Sequence, residues 1–261
     1  MSLNFCVLGS GSKGNCTLVE SGSTAILIDA GFSGKEIRRR LMLVDRSPED
    51  LAAIVVTHEH GDHISGVGVM SRKYNLPVYA NAGTHLASET RVKKLYKRVE
   101  FGTGESFVID DLSVHPFRIS HDTADPVGFV ISDGHVALGY CTDTGRVTKL
   151  IAHHVRKCRA LILEANHDRK MLMEGPYPMP LKQRVRSSQG HLANSDAARF
   201  LAGLVDSSLQ YVILAHLSET NNLPDVALKR VEKELQTMEI DFKIVVADQK
   251  KPTTIFSLDL Q

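Results

Sequence analysis

The chain has 261 residues, of which 43% are hydrophobic and 23% charged; this composition excludes disorder, and the length suits one large or two small domains. No apolar run approaches the roughly 20 residues that a membrane-spanning helix needs, so no membrane association is expected. The formal net charge of +1 excludes a general attraction to nucleic acid, which would require a local basic patch.

Short β-branched runs alternate with helical patterns along the chain, which is typical of α/β organisation. In the first third, strands are predicted at Asn4–Leu8, Cys16–Glu20, Ala25–Asp29, Ala53–Thr57 and Leu76–Ala80. Helices are predicted over Ile37–Leu43, Ile64–Tyr74 and Thr84–Leu95. The first of these helices begins after a capping box formed by Ser33 and Glu36, and Pro48 opens another short helical turn.

The middle of the chain is rich in strands, and the last third alternates strands with helices again. The predicted strands are Ser106–Ile109, Leu112–Arg118, Val127–Ser132, Val136–Thr142, Ala160–Glu164, Tyr211–Ala215, Lys243–Ala247 and Thr253–Leu258. Helices are predicted at Thr148–His154, Ser195–Val205 and Val226–Met238, and a long irregular stretch covers Arg169–Gly190. We therefore expect a single domain over residues 1–261, in which two sheets carry helices on their outer sides.

The segment from Gly9 to Gly14 matches the dinucleotide-binding pattern G-x-G-x-x-G and follows a predicted strand. That function requires a helix to begin there, so that its N-terminus faces the pyrophosphate. The β pattern from Asn15 to Val19 excludes this interpretation. The glycines then indicate a tight turn that needs positive φ, or a nest of backbone N–H groups facing an anionic substrate if an active site lies beside it.

The chain has four cysteines, Cys6, Cys16, Cys141 and Cys158, and none of them forms a C-x-x-C pair. Their spacing predicts neither a disulfide framework nor a thiolate zinc site. Because no secretory signal is recognisable either, a reducing, cytoplasmic location is expected. The twelve histidines exceed ordinary usage and direct attention to metal binding.

Three histidines and an aspartate occur within six residues, in the pattern H-x-H-x-D-H from His58 to His63, directly after a predicted buried strand. Such a set makes a poor core and an unusual surface. A turn leaving a strand end can point His58 and His60 one way, and Asp62 and His63 another. Neutral imidazoles and a carboxylate are good ligands for zinc and related divalent ions, so the segment predicts a metal site.

Together with four further positions, this segment resembles the motifs of metallo-β-lactamase-fold hydrolases over nearly the whole chain. Asp29, His121, Asp143 and His216 match the first, third, fourth and fifth motifs. Singly, such a histidine is more often packed or at the surface, and such an aspartate is more often a turn residue. The order and spacing of all five motifs favour the metal interpretation.

The resemblance implies an α/β fold, a four-layer αββα sandwich of two mixed β-sheets with helices on the outer faces. It also implies a centre for two divalent metal ions, zinc or manganese. One ion would be held by His58, His60 and His121, the other by Asp62, His63 and His216, with Asp143 bridging them. Asp29 would orient the histidine loop rather than bind an ion.

Two further segments resemble ribonuclease Z-type phosphodiesterases: Leu163–Asp168, which contains Glu164, and Gly190–Ser195, which contains His191. In those enzymes the Glu and His form a proton-transfer pair near the scissile phosphate. By this resemblance, Glu164 would orient His191, which would stabilise the developing charge or protonate the leaving oxygen. Both segments depart from the usual motifs after these residues. The alternative is that Glu164 merely ends a strand and His191 merely precedes a helix.

Residues 151–190 contain eight lysines and arginines against three acids, a local charge of +5. Lys182, Arg184 and Arg186 stand at alternate positions, which would place them on one edge of an extended segment. Tyr177 precedes them as a ring on which a base could stack. Such an edge suits a nucleic-acid strand, so these three residues are predicted to bind substrate, although an ordinary solvated loop is the alternative.

Across the chain, the sequence most resembles the YycJ-like (WalJ-like) branch of the superfamily. The segments that carry this resemblance include Leu8–Asn15, the Glu164 and His191 segments, and His216–Asn222. The branch implies a cytoplasmic, metal-dependent DNA exonuclease that attacks 5′ ends with a metal-bound hydroxide, Asp62 accepting the water proton. It also implies DNA-repair partners and contacts of Ser10 and Asn15 with substrate.

Two alternatives remain open from the sequence. The same metal site would serve a hydrolase of small thioesters, lactones or cyclic phosphodiesters, which would leave the basic segment unused. A nucleic-acid-binding or regulatory module on a decayed hydrolase fold would have lost ligands, whereas every ligand motif is filled here.

Overall fold

Fourteen β-strands form two seven-stranded sheets within residues 2–205 and 207–259, which are the residues that the computed structural model describes; both ends of the predicted 1–261 domain lie outside them. The first sheet contains β1 Leu3–Gly9, β2 Cys16–Ser21, β3 Thr24–Ile28, β4 Ala53–Val55, β5 Pro77–Ala80, β6 Lys97–Glu100 and β14 Phe256–Leu258. The second contains β7 Phe107–Ile109, β8 Leu112–Arg118, β9 Val127–Ser132, β10 Ala137–Cys141, β11 Ala160–Glu164, β12 Tyr211–Ala215 and β13 Lys243–Val246.

Both sheets are mixed. The first has the order β14-β1-β2-β3-β4-β5-β6, in which β3 to β6 run parallel and the other neighbours pair antiparallel. The second has the order β13-β12-β11-β10-β9-β8-β7, in which β10 to β13 run parallel and β7 to β10 antiparallel. Each sheet therefore has a parallel half, whose strands end at the same edge.

Helices connect the parallel strands and cover the outer faces. They are α1 Gly34–Met42, α2 Gly61–Ile64, α3 Val67–Tyr74, α4 Ala82–Val92, α5 Lys149–Val155, α6 Arg169–Glu174, α7 Met179–Arg186, α8 Asn194–Ala202 and α9 Pro224–Leu235, with a short 3₁₀ turn at Pro48–Asp50. As predicted, Ser33 caps α1, since its hydroxyl accepts the Glu36 N–H. Within the described residues, no helix is both long and apolar enough to cross a membrane.

Side-chain alternation along the strands builds the layers, as it must where successive residues point to opposite faces. In β11, Ala160 and Ile162 pack between the sheets, whereas Leu161 and Leu163 face the helices α5, α8 and α9. A third apolar cluster joins the first sheet to α1 and α3. These clusters confirm the predicted four-layer αββα sandwich. The four cysteines are buried and free.

The stretch Arg169–Gly190, predicted as irregular, contains α6 and α7, so the prediction of an extended basic edge is wrong. Asp168 begins α6, because its carboxylate accepts the N–H groups of Lys170 and Met171. In the helix α7, Lys182 and Arg186 are four residues apart and share a face, whereas alternate positions do not. The prolines before this helix favoured the prediction of an irregular segment. Proline is, however, tolerated in the first turn of a helix.

The charged strand β6 was not predicted either. The helix predicted up to Leu95 ends earlier, at Val92 in α4, and the following residues form an edge strand. Of its four residues, only Val99 is not exposed. A short, charged strand is a common way of protecting a sheet edge from pairing with other chains, and it lacks the apolar alternation that identifies strands in a sequence.

The parallel halves of the two sheets bring the candidate residues to one edge of the sandwich. Asp29 follows β3, Glu164 ends β11, and His216 follows β12. Asp29, Asp143 and His216 have φ angles of 59°, 57° and 55°, in the left-handed region that non-glycine residues rarely adopt. The chain thus turns sharply as it leaves three strands, and such backbone conformations concentrate at functional sites.

Candidate metal centre

Three histidines form the first candidate ligand set. The ring nitrogens of His58, His60 and His121 lie within 4.8 Å of one another, and His121 Nε2 is 3.2 Å from His60 Nδ1. The Nδ1–H of His121 donates to the carbonyl oxygens of Gln189 and Gly190, at 3.1 Å each. These bonds leave Nε2 of His121 facing the other two rings. The predicted first ligand set is therefore brought together.

The second predicted set, Asp62, His63 and His216, is also brought together, with one ligand atom from each within 4.8 Å. Asp62 Oδ2 is 3.6 Å from His63 Nε2 and 3.3 Å from His216 Nε2. The two sets adjoin each other, because His58, His63 and Asp143 also offer ligand atoms within 4.8 Å of one another. The assignment of these residues to one ion or the other stays a prediction.

Asp143 lies between the two sets, where a bridging ligand is predicted. Its Oδ2 is 3.3 Å from His63 Nε2. Its Oδ1 is 3.3 Å from His216 Nδ1 and 3.9 Å from His121 Nε2. The Oδ2 atom is buried and has no hydrogen-bond partner among the described residues, as is also true of His58 Nε2. Buried polar atoms without partners are costly, and bound cations would satisfy both.

Asp29 is fully buried and holds the histidine loop through hydrogen bonds. Its Oδ1 accepts the N–H of Thr57 at 2.8 Å, and its Oδ2 accepts the Nδ1–H of His63 at 2.7 Å. The Thr57 hydroxyl donates to the same Oδ2 at 2.9 Å and lies 3.0 Å from His58 Nδ1. Sequence reasoning did not single out Thr57, although its place between a strand end and His58 was a usable signal.

Glu164 connects the metal cluster to His191. Its Oε1 accepts the Nδ1–H of His191 at 2.8 Å and that of His216 at 2.9 Å. Its Oε2 accepts the backbone N–H groups of Thr144 and Leu192, at 2.9 Å each. Burial would raise the pKa of Glu164, but His191 and His216 hold it well below its usual value. Glu164 is therefore an anion with four hydrogen bonds.

The two halves of the cluster differ in charge. Burial lowers the pKa of His58 well below its usual value, and the neighbouring His63 lowers it further. Burial alone would also lower the pKa of His63, but Asp143 and Asp29 raise it to about 9. The pKa of His216 is raised as well, against the effect of burial, chiefly by Asp143. The half that contains the carboxylates thus attracts cations, whether protons or metal ions.

This set of neutral imidazoles and buried carboxylates fits divalent metal ions of the zinc or manganese type. Ring orientation supports the fit, because Asp29 and two backbone carbonyls fix the Nδ1 atoms of His63 and His121 and direct their Nε2 atoms into the cluster. Such outer hydrogen bonds accompany most metal-binding histidines. The described residues therefore support the use of divalent metal ions.

A cavity of about 240 Å³ opens onto the cluster. The cavity is lined by members of the cluster, among them His60, Asp62, Asp143, His191 and His216, and also by Tyr177, Leu181 and Arg184. The last three residues belong to the segment of α6 and α7. Arg184 is held by Asp122, whose Oδ2 accepts its Nε–H at 2.6 Å. The segment between the Glu164 and His191 motifs therefore borders the centre, although as helix rather than as an extended edge.

The three basic residues predicted to bind substrate have different positions. Arg184 lines the cavity. Lys182 is buried, and its Nζ donates to the carbonyl of Met173 at 2.7 Å. Arg186 is exposed, its guanidinium lies 3.1 Å from Met173 Sδ, and it borders a smaller cavity beside His191. In an extended strand these three side chains would lie along one edge, whereas in the helix they do not share one face.

Ser10 and Asn15, predicted to contact substrate, are buried beneath the metal cluster instead. The Ser10 hydroxyl accepts the N–H of His216 at 2.9 Å and donates to Asn15 Oδ1 at 2.8 Å. Asn15 Nδ2 lies 3.3 Å from Asp62 Oδ2. Gly11 has a φ of +146°, as expected of the tight-turn interpretation. This turn therefore holds ligand residues in place, and neither side chain lines the cavity.

Comparisons with known proteins agree with this architecture. The family model "Beta-lactamase superfamily domain" matches residues 24–217. The chain is 37% identical to exodeoxyribonuclease YycJ of Bacillus anthracis, over 98% of this chain and 99% of that protein. It is 36% identical to exodeoxyribonuclease WalJ of Streptococcus pneumoniae, over 94% of each chain.

Solved structures share the fold. The metallo-beta-lactamase fold protein YhfI from Bacillus subtilis superposes with a TM-score of 0.75 at 17% identity, over 96% of this chain and 99% of that one. Zn²⁺-bound PqqB from Methylobacterium extorquens gives 0.72 at 18% identity, over 98% and 100%. Together with the family match and the full-length relatives, these findings show that the chain belongs to the beta-lactamase superfamily, in its YycJ/WalJ-like branch.

Proposed function

We propose that this protein is a metal-dependent exodeoxyribonuclease that hydrolyses DNA phosphodiester bonds from 5′ ends. The hydrogen-bonded pair of Glu164 and His191, which borders the metal cluster in the same cavity, carries the proposal. The alkoxide that leaves a phosphodiester must be protonated or stabilised, which such a pair can do, whereas the thiolate of a thioester leaves without this help. The full-length similarity to exodeoxyribonucleases YycJ and WalJ supports the same activity.

Two ions are proposed, one held by His58, His60 and His121 and the other by Asp62, His63 and His216, with Asp143 shared. When bound, they would supply Lewis acidity for the scissile phosphate and an activated water as nucleophile. Zinc and manganese both suit a set of imidazole and carboxylate ligands. The seven candidate ligand residues exceed the four that one tetrahedral ion takes, which supports two ions rather than one.

The protein's own groups would handle the protons. Asp62 reaches the cavity with part of its carboxylate and is proposed to accept the proton of the attacking water. His191 is held at Nδ1 by Glu164, so its Nε2 is available to protonate the leaving oxygen or to stabilise charge on the phosphate. Arg184, which lines the same cavity, is proposed to contact a substrate phosphate.

Three further aspects of the proposal concern the context of the protein. We propose that residues 1–261 act as one catalytic domain. Four buried, free cysteines support a reducing location, which we take to be the cytoplasm. DNA is proposed over RNA because both full-length relatives are named for action on DNA. Partners in DNA repair stay a prediction of the family resemblance.

The experiment that tests the function uses metal-stripped protein and end-labelled single- and double-stranded DNA and RNA. Mn²⁺ or Zn²⁺ is then restored, with Asp62→Ala as the control. We expect metal-dependent release of nucleotides from the 5′ end of DNA, abolished by the substitution. Cleavage from the 3′ end or preferentially of RNA would overturn the finer assignment. A protein that binds two ions but cleaves no nucleic acid would point to small thioesters, lactones or cyclic phosphodiesters.

A further inference from the structure

A second, smaller cavity adjoins the metal centre on the far side of His191. It has a volume of about 70 Å³, and His191 lines both cavities. Among its other lining residues are His167, Arg169, Arg186, Ala193 and Asp196, so its walls are mainly polar. A cavity of this size and lining suits a small polar group.

Cationic groups outnumber anionic groups around this cavity. Arg169 begins α6 and Arg186 ends α7, so two helix ends bring their guanidinium groups to one place. The single carboxylate, Asp196, already accepts two bonds from Arg169, at 2.8 and 3.0 Å, and is also paired with Arg199. Among the lining residues, two guanidinium groups against one carboxylate leave a formal charge of +1, which favours an anion.

The N-terminus of α8 borders the same cavity. Its N-cap residue is Ala193, which has no side-chain oxygen to accept the first N–H groups of the helix. An alanine at this position forgoes the stabilisation that serine, threonine or aspartate would give. The partial positive charge of a helix N-terminus forms a favourable place for a phosphate.

A buried histidine is the second, independent sign of a ligand. His167 is only 2% exposed, it lines the cavity, and its Nδ1 has no hydrogen-bond partner among the described residues. Its backbone is fixed, because its carbonyl accepts the N–H of Asn194 at 2.9 Å. Burial lowers the pKa of His167 to about 4. At neutral pH the uncharged ring carries one N–H, so His167 adds a polar group to the cavity wall without adding charge.

We propose that this cavity binds a backbone phosphate of the nucleic acid, the one next to the phosphate that is cleaved. The inference rests on the proposed nuclease function and adds a second contact to it. His191 would stand between two successive phosphates, one at the metal centre and one held by Arg169, Arg186 and the N-terminus of α8. The subsite would fix the register of the strand, so that one linkage at a time is presented to the metals.

The test is a binding measurement on the full chain, in EDTA so that no cleavage alters the probe. The probes are fluorescein-labelled single-stranded DNA oligonucleotides, each with one linkage replaced by a neutral methylphosphonate at a different distance from the 5′ end. For the wild-type protein, we expect one position near the 5′ end at which neutralising the linkage weakens binding by about 10-fold. Neutral linkages at the other positions should weaken binding less. In Arg186→Gln, neutralising the linkage at that one position has little further effect.

Lys170→Gln is the matched control, because Lys170 is an exposed cation on α6 that does not line the cavity. It removes the same charge and should keep the position-dependent loss. Arg186 is exposed, and its substitution should leave the fold intact, which a thermal melt verifies. Arg169→Gln, which takes away a different wall of the cavity, provides a second test and should also abolish the position dependence.

Three results would overturn the inference. If Arg186→Gln and Lys170→Gln bind all probes alike, or if no linkage stands out, the cavity holds no backbone phosphate. If inorganic phosphate displaces the probes from the wild type but not from Arg186→Gln, and no linkage stands out, the site serves free phosphate. Absence of metal-dependent DNA cleavage by the wild type would overturn the proposed function too, whereas metal-dependent cleavage without these effects would overturn only the subsite.

Discussion

Glu164 Oε1 accepts a hydrogen bond from His191 Nδ1 at 2.8 Å. This bond determines that Nε2 is the ring nitrogen available to the substrate. The same oxygen also accepts the Nδ1–H of His216 at 2.9 Å. One buried carboxylate therefore orients a proposed proton donor and a proposed metal ligand. The fold makes this possible because Glu164 ends β11 and His216 follows β12, its parallel neighbour.

The first prediction concerns this pair. Glu164→Gln should lower kcat/KM on DNA by about 10- to 100-fold, the usual effect of removing the partner of an active-site histidine. The amide nitrogen would face N–H groups that now point at an oxygen. Steady-state rates for Glu164→Gln, His191→Gln and the double variant check this. If Glu164 acts through His191, the double variant is little worse than His191→Gln, and fully additive losses would contradict the prediction.

Because Glu164 also touches His216, bound metal must be measured in the same variants. A loss of activity at unchanged metal content would assign the effect to His191. A parallel loss of metal and activity would assign it to His216 instead.

The second prediction concerns Thr57, whose hydroxyl donates to Asp29 Oδ2 and lies beside His58 Nδ1. Thr57→Val keeps the shape of the side chain but removes these bonds. We expect metal affinity to fall by about 10-fold, because the rings of His58 and His63 lose their fixed orientation. Competition with a chromophoric chelator measures this. Thr84→Val is the control, since the buried Thr84 hydroxyl has no hydrogen-bond partner among the described residues, and it should leave metal affinity unchanged.

Much of the candidate centre could be predicted from the sequence because its residues follow buried strands. Apolar runs identify β3, β11 and β12, and parallel strands place whatever follows them at one sheet edge. This rule brings Glu164 and His216 together, whereas Asp29, which follows a strand of the other sheet, could be assigned to the same site only by the family resemblance. The histidine loop could be predicted as a metal site from local sequence, because all four of its candidate ligands lie within six residues.

What could not be predicted depends on contacts between distant segments. Ser10 lies in a glycine-rich turn. The neighbouring sequence gives no sign that its hydroxyl accepts the N–H of His216, 206 residues away. Lys182 and Arg184 appear equivalent in the sequence. Only the packing of α7 turns the first toward the backbone of Met173 and the second into the cavity.

The third prediction uses that difference between two residues of α7. Arg184→Gln should raise KM for DNA by about 10-fold with a smaller change in kcat, because it removes a cation that contacts substrate in the ground state and the transition state alike. Lys182→Met removes the same charge but lies outside the cavity, so its KM should stay near the wild-type value. Equal effects of the two substitutions on KM would contradict the placement of Arg184 on the cavity wall.

The last prediction concerns pH and stability far from the metals. The pKa of Glu36 is lowered to about 2, chiefly by its hydrogen bonds from Arg39, with a further contribution from Arg40. Arg40 is buried and also donates to the carbonyl of Leu8 at 2.8 Å. The Glu36 carboxylate therefore neutralises the positive charge of a buried guanidinium group. The carboxylate is ionised in the folded protein at pH values where the unfolded chain already binds a proton.

A pKa that is lower in the folded state gives stability that is complete above the unfolded value and is lost as pH falls. Glu36→Gln should therefore reduce the free energy of unfolding by about 1 kcal/mol at pH 7, since the carboxylate is partly exposed and screened. The difference from wild type should shrink as pH falls from about 5 toward 2. Urea unfolding of both proteins across this range measures it, with Glu232→Gln on the exposed side of α9 as the charge-matched control. A difference that stays constant or grows toward low pH would show that Glu36 stabilises α1 by packing rather than by its charge.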